Sequence, residues 1–435
     1  MATALSTYEM LWDDPEVAAC IDTGIERHRK AGATLRVEDA AGRPLPGAQV
    51  LVEQTHSDFL FGANLFMLGG YPTPELNARY EEAFTGLFNA ATVSLYWKGM
   101  EPERGKVRFA ADSPPVYRRP PVDASVGFCE KHGLNMNGHN LVWDSAKWSV
   151  PDWVPDDPAQ SAPLWEERIR QIAARYGTRI QRWDVVNEVL IGGVAPRSRP
   201  MPANYERLSF RWAEKHLPAS AFLMINDDSK TWTVNRRPYI DLIRRLRADG
   251  ARIDGAGMQF HLFKDEELLR VLAGEAYRPR DLLAALDEVG TTGLPLHISE
   301  ITITAPLAFA TGEATQARVA HNLYRLWFSH PAVQAITWWN VPDGGAAPGE
   351  DRVASGLLNR NLEPKPAYNA LHDLIRREWR TRLTGTTGAD AGFAFRGFHG
   401  RYRAQVMHRG ATHSAEFALR PGGPNAVTVR LSAAS

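Results

Sequence analysis

The stretch 163-PLWEERIRQIAARYGTRIQRWDVVNE-188 decides the fold. Its first half places Trp165, Ile169, Ile172, Ala173 and Tyr176 three and four apart and then meets Gly177, the pattern of an amphipathic helix with a glycine stop. In its second half Trp183, Val185 and Val186 read as the interior of a buried strand. That strand ends on Asn187 and a carboxylic acid, Glu188. A strand end emerging into solvent would wet the acid; a strand end opening into a cleft would use it.

The same alternation runs outward in both directions. Strand candidates fall at 59–66, 90–97, 135–143, 182–188, 221–227, 256–262, 295–301 and 335–341, with amphipathic segments such as "PELNARYEEAFTGLFN", "RRPYIDLIRRLRADG" and "ARVAHNLYRLWF" between them. Eight strand and helix repeats predict an α/β fold, a (β/α)₈ TIM barrel over residues 58–380. An open doubly wound sheet is the other topology with this order, but no glycine-rich phosphate loop follows the first strand.

The flanks change period. Residues 33–57 alternate apolar and polar positions around "AAGRPLPGA", which predicts a β-hairpin, and residues 381–435 alternate likewise. Each is too small to bury a core alone, so the two flanks are expected to form one β-sandwich from the N- and C-terminal ends. Residues 1–32 are expected to be a helical segment.

The chain has 435 residues, 50 basic and 50 acidic, with a formal net charge of zero and no charged tails, a distribution that points away from nucleic acid and membrane surfaces. No stretch is apolar for the roughly 18 residues of a spanning helix, and the first residues lack the pattern of a secretory signal. As written the sequence reads as cytoplasmic, or as secreted or periplasmic if a leader was removed. Cys20 and Cys129 lie far apart in a chain with only 2 cysteines, so no disulfide framework is expected. The 13 tryptophans supply flat faces for core or sugar alike. Nothing fixes an oligomeric state.

In a barrel of this kind the chemistry sits at the carboxyl ends of the strands. Those ends carry His139 and Asn140, Trp143 and Asp144, Asn187 and Glu188, Asn226 and Asp227, Gln259 and His261, Glu300, and Trp339 and Asn340. Taken alone, each glutamate reads as a solvated end or an ion-pair partner. Together, on the fourth and seventh strands, they are placed to face one another as the two carboxyl groups of a glycosidase, about 5 to 5.5 Å apart in the retaining class. Such chemistry requires no metal or organic cofactor, and no HExxH, cysteine cluster or phosphate loop is present.

Seven collinear motifs carry a resemblance: "MEPERGKVRF" (100–109), "GHNLVW" (138–143), "WDVVNE" (183–188), "MQFH" (258–261), "HISEITI" (297–303), "ITWWNVPD" (336–343) and "LEPKPAYNAL" (362–371). They resemble glycoside hydrolase family 10, the retaining endo-β-1,4-xylanases, over roughly residues 58–375. The resemblance implies a carbohydrate substrate, Glu188 as acid/base and Glu300 as nucleophile. It further implies Asn187 on the sugar 2-hydroxyl, His261 orienting and ionising Glu300, His139 and Gln259 holding the sugar in the −1 subsite, and Trp143 and Trp339 walling it.

Departures cluster on one side. Where the family carries an Asn and a Lys on the second strand, this chain has Val93 and Tyr96. A His and a Gln after the third-strand Trp become Asp144 and Ala146. The acidic residue two after the nucleophile is Thr302, and an aromatic with an Asn after the fifth strand becomes Asp228 and Ser229. Tyr96 and Asp144 are therefore expected to contact substrate in place of the usual groups. Losing several hydrogen bonds of about 1 kcal/mol each weakens a plain xylan chain, so a modified or non-xylan β-glycoside is the expected substrate. An ordinary endo-xylanase and an inactive carbohydrate-binding barrel are the alternatives.

Overall fold

The structure is a computed structural model that describes residues 2–190, 201–350, 354–408, 411–423 and 425–431. It divides into two compact units, one of residues 1–14, 60–327 and 332–370, the other of residues 15–59, 328–331 and 371–435.

The first unit is a closed parallel barrel. In chain order after β1 (Lys30–Glu38) and β2 (Gln49–Ser57) of the other unit, its strands are β3 (Leu60–Asn64), β4 (Ala90–Ser94), β5 (Asn135–Val142), β6 (Arg182–Asn187), β7 (Phe222–Asp227), β8 (Gly255–His261), β9 (Leu296–Thr302) and β10 (Val333–Trp338), with β10 closing on β3. The eight strands read from the sequence are these eight. Helices wrap every strand, so all seven residues of β9 are buried and the strands read as apolar runs. Local chemistry sets the helix ends. The Thr73 hydroxyl accepts from Leu76 N at 3.3 Å with Pro74 in the first turn, Asp157 caps Pro158–Tyr176, and Val122–His132 stops at Gly133 with φ 64°.

The second unit holds two sheets, β1 between β12 (Gly392–Phe398) and β15 (Ala426–Arg430), and a second in the order β11 (Arg382–Thr386), β2, β13 (Gly400–His408), β14 (Ala411–Leu419). Leu35, Val37 and Val429 from one sheet and Val50, Val52, Tyr402 and Val406 from the other share one core, which makes the pair a sandwich. Of the flank assigned to it, residues 409–410, 424 and 432–435 lie outside the described residues.

The hairpin expected over 33–57 does not form. After β1 the chain starts a tight turn, with Leu45 N donating to Val37 O at 2.9 Å, and then crosses so that β2 enters the opposite sheet. Alternating polarity says that a strand has one buried face; it does not say which strand lies beside it. The expected helical segment 1–32 also divides. Helix Ala2–Trp12 belongs to the barrel unit, helix Pro15–Arg29 to the sheet unit, and β1 already begins at Lys30. Both cysteines are free, Cys129 buried on its helix. Among the described residues no helix is long and apolar enough to cross a membrane, and no cluster of three or more His, Cys, Asp or Glu could hold a metal ion.

Candidate active site

At the carboxyl end of the barrel strands a cleft of about 400 Å³ is lined by Asn187, Glu188, Gln259, His261, Glu300 and Trp339, among others. Glu188 follows the last residue of β6 and turns off the strand at φ 54°, a left-handed conformation that non-glycine residues seldom adopt, with its N–H donating to Asn226 O at 2.9 Å. The turn is what points the carboxyl into the cleft rather than along the strand. Glu300 stands inside β9 and is 4% exposed.

One amide ties the two acids together. Gln259 Nε2 donates to Glu188 Oε1 at 3.1 Å and to Glu300 Oε1 at 3.0 Å. These two oxygens are therefore separated by no more than the sum of those lengths, short of the roughly 6.5 Å at which inverting pairs begin. Asn226, on the neighbouring strand β7, donates from Nδ2 to Glu300 Oε1 at 3.0 Å and to Asn187 Oδ1 at 2.8 Å, and its own Oδ1 accepts from Ser299 at 2.5 Å. Asn226 thus fixes both the acid on β9 and the amide beside the acid on β6.

Burial raises both carboxyl groups, and their neighbours separate them. Stripping of water by the surrounding protein, followed by the charge of Glu300, lifts Glu188 well above the ordinary range. Burial pushes Glu300 up to about 8, while nearby His139 and the Asn226 amide pull it down. Glu300 is therefore the first of the pair to ionise and Glu188 the second.

The two histidines divide their work differently from the sequence expectation. His261 Nε2 is 3.4 Å from Glu300 Oε2, but its Nδ1 meets the neutral Thr302 hydroxyl at 2.8 Å and burial lowers its pKa to about 4. Burial thus favours its neutral ring, which is placed to orient Glu300. His139 is the charge-bearing candidate. Burial opposes its protonation, but the hydrogen bond to Asp184, 2.8 Å from Nδ1, and the charge of Glu300 outweigh this and raise its pKa. Its Nε2 lies 3.8 Å from Glu300 Oε1.

His139 does not reach the cleft, however. It is not among the residues lining the cleft and its Nε2 meets the Tyr96 hydroxyl at 3.1 Å, so the expectation that it grips the sugar is corrected: Tyr96 lines the cleft at that place. Asp144, two residues past the end of β5 at Val142, is also buried and absent from the cleft lining. Val93 is fully buried in β4. Trp143 does line the cleft and packs on an aromatic cluster of Phe66, Tyr96 and Trp339. Asp228 and Ser229 line it too, Ser229 Oγ accepting from His261 N at 2.8 Å.

Sequence reasoning had counted Asn226 among the strand-end polar residues without giving it a role, and it missed Asp184, Phe66, Arg118 and Arg119 altogether. The two arginines come from a proline-rich loop after β4 with no periodicity to flag them.

This arrangement matches a known family. The family model for glycosyl hydrolase family 10 matches residues 70–374. The chain belongs to that family. It is 26% identical over 385 residues to anti-sigma-I factor RsgI6 of Acetivibrio thermocellus, covering 88% of this chain and 45% of that protein. It is 25% identical over 406 residues to endo-1,4-beta-xylanase 2 of Arabidopsis thaliana, covering 91% of this chain and 34% of that one. With endo-1,4-beta-xylanase B of Thermotoga neapolitana it shares 26% over 351 residues, 77% of this chain and 93% of the relative. The chain thus spans less than half of the first two relatives. Xylanase 10B of Thermotoga petrophila RKU-1, solved in complex with xylobiose, superposes with a TM-score of 0.61 at 22% identity over 74% of this chain and 95% of that one, a likeness of fold.

A glycine tests the pivot. A Cβ at Gly257 on β8 would meet Asn226 Oδ1 at 2.3 Å. Gly257→Ala is expected to displace Asn226 and lower kcat on any accepted glycoside on the order of 10²-fold, the cost of about 1 Å of misplacement at a reacting group. Unchanged turnover in a variant of normal melting temperature would remove Asn226 from its positioning role.

Proposed function

We propose that the protein is a retaining β-glycosidase that works by double displacement on a short or decorated β-glycoside. The observation that carries the reading is the single Gln259 nitrogen held between Glu188 and Glu300, since that spacing suits direct attack by one carboxylate and leaves too little room for a water placed between the pair and the sugar.

In the first step a Glu300 oxygen forms a bond to the anomeric carbon, the glycosidic C–O bond breaks, and the leaving oxygen takes the proton of Glu188. The glycosyl ester removes the negative charge of Glu300, one of the two main causes that kept Glu188 protonated. Glu188 then ionises and takes a proton from water as that water attacks the anomeric carbon and releases Glu300.

The restriction in substrate rests on the cleft wall. Tyr96 presents an aromatic ring where the family has a long cation, and its face is covered by Arg119 at 3.9 Å. The loop after β4 is pinned to the loop after β10: Tyr117 OH donates to Gly344 O and Ala346 O at 3.2 Å each, and Arg118 donates to Asn340 Oδ1 at 2.9 Å and to Gly345 O. Joined loops favour a short pocket over a long open groove.

The test is kcat/KM on xylobiose through xylohexaose beside aryl β-xyloside, β-glucoside and β-galactoside. A sugar subsite making two hydrogen bonds of about 1 kcal/mol each raises kcat/KM roughly 30-fold per added unit. Here the dependence on length is expected to stay within about threefold beyond the disaccharide, and Tyr96→Lys is expected to increase it. A steep rise in the wild type would make the protein an ordinary endo-xylanase.

A further inference from the structure

Arg118 and Arg119 carry two positive charges into the cleft lining, and among the described residues neither makes an ion pair with an acid. Among the described residues their hydrogen bonds go to neutral acceptors alone: Arg118 to Asn340 Oδ1 and Gly345 O, and Arg119 Nη1 to Arg118 O at 2.9 Å. Both guanidinium groups lie over the ring of Phe66, at 5.2 and 5.3 Å, and Arg119 also stacks on Tyr96. Burial lowers the pKa of both, Arg119 to about 10, so the charge is held against a desolvation cost. Charges held this deeply are ordinarily paired. Among the described residues, Glu350, a carboxylate of the same lining that acts on both, stands beyond ion-pair distance, and its buried Oε2 has no hydrogen-bond partner.

We infer that Arg119, backed by Arg118, is a carboxylate subsite that selects a uronic acid, as a substituent or a unit of the glycan, next to the Tyr96 wall. A planar guanidinium pre-ordered on an aromatic face offers its remaining N–H fork to a planar carboxylate. The charge pairs on binding instead of in the free protein, so the cost of its desolvation is recovered only by an acidic ligand. The identity of the ligand as a sugar acid rests on the glycosidase reading above; the presence of an anion subsite rests on the arginines.

The experiment uses three matched probes: xylotriose carrying one glucuronic acid substituent, its methyl ester, and unsubstituted xylotriose. Affinities are measured by calorimetry on the Glu300→Ala protein and kcat/KM on the wild type. The acid is expected to bind roughly tenfold or more tightly than its methyl ester, the effect of one charge-assisted hydrogen bond. That ratio should fall to about one in Arg119→Gln, survive in part in Arg119→Lys, and shrink with added salt. Equal affinity for acid and ester, or an Arg119→Gln loss that is the same for all three probes, would overturn the subsite and leave Arg119 as a latent partner of Glu350. Failure of the wild type to cleave any probe or aryl glycoside would count against the glycosidase reading, while the calorimetric ratio still decides the subsite.

Discussion

Replacing Glu300 by alanine is expected to abolish turnover, with a loss on the order of 10⁴-fold or more on every glycoside, because the variant lacks the carboxylate that forms the covalent ester. Glu188→Ala should cost as much on substrates with poor leaving groups and far less on aryl glycosides, whose departure needs little protonation. Azide separates the two roles. Added to Glu188→Ala it takes the place of the water that now lacks a base and should yield a β-glycosyl azide; added to Glu300→Ala it occupies the space of the lost carboxylate and should yield the α-azide. Product stereochemistry by NMR reads the outcome. Wild-type turnover in either variant, or the two anomers interchanged, would reverse or remove the assignment.

The pH profile carries the second large effect. The active form has Glu300 ionised and Glu188 protonated, so the rate rises through the first ionisation of the pair and falls through the second. Burial raises both carboxyls, Glu300 to about 8 and Glu188 further still, so both limbs should lie above the usual carboxylate range and the optimum at or above neutrality. Glu188→Gln removes the second ionisation and keeps the side chain's size. On an activated aryl glycoside its alkaline limb should vanish, and on an unactivated glycoside kcat should fall on the order of 10²- to 10⁴-fold. The acid limb should stay where it is, because the glutamine is as neutral as the protonated Glu188 it replaces. An unchanged alkaline limb in Glu188→Gln would place the acid elsewhere.

Burial displaces these limbs, and Thr302 leaves it without an acid to oppose it through His261. In a site where an acid follows the nucleophile by two residues, the histidine between them would be held in its charged form and would depress the nucleophile. Here burial favours a neutral His261, whose Nδ1 meets the neutral Thr302 hydroxyl, and the compensating charge is that of His139, hydrogen-bonded to Asp184 and 3.8 Å from the other oxygen of Glu300. The sequence displayed the substitution at Thr302. It did not display the partner that replaces its effect, because His139 and Asp184 lie 45 residues apart and meet only when β5 and β6 pair, with His139 opposite Asp184.

What the sequence determined by itself was whatever rests on local pattern. Periods of two and of three to four gave eight strands and their helices, and a barrel follows from that order because each strand needs both faces covered. Strand ends gave Glu188, Glu300, Asn187, Gln259 and His261, since in such a barrel every carboxyl end opens on the same cleft. Tertiary structure alone decided what depends on which elements become neighbours. It sent β2 into the sheet opposite β1, where alternation had suggested a hairpin, because polarity marks a face and not a partner. It put Tyr96 rather than His139 in the cleft lining and left Asp144 buried outside it, because past a strand end no period fixes where a side chain lies. It also brought Arg118 and Arg119 to the cleft wall from a loop with no period to read, Arg118 held there by Asn340 and Gly345 more than 220 residues further along the chain.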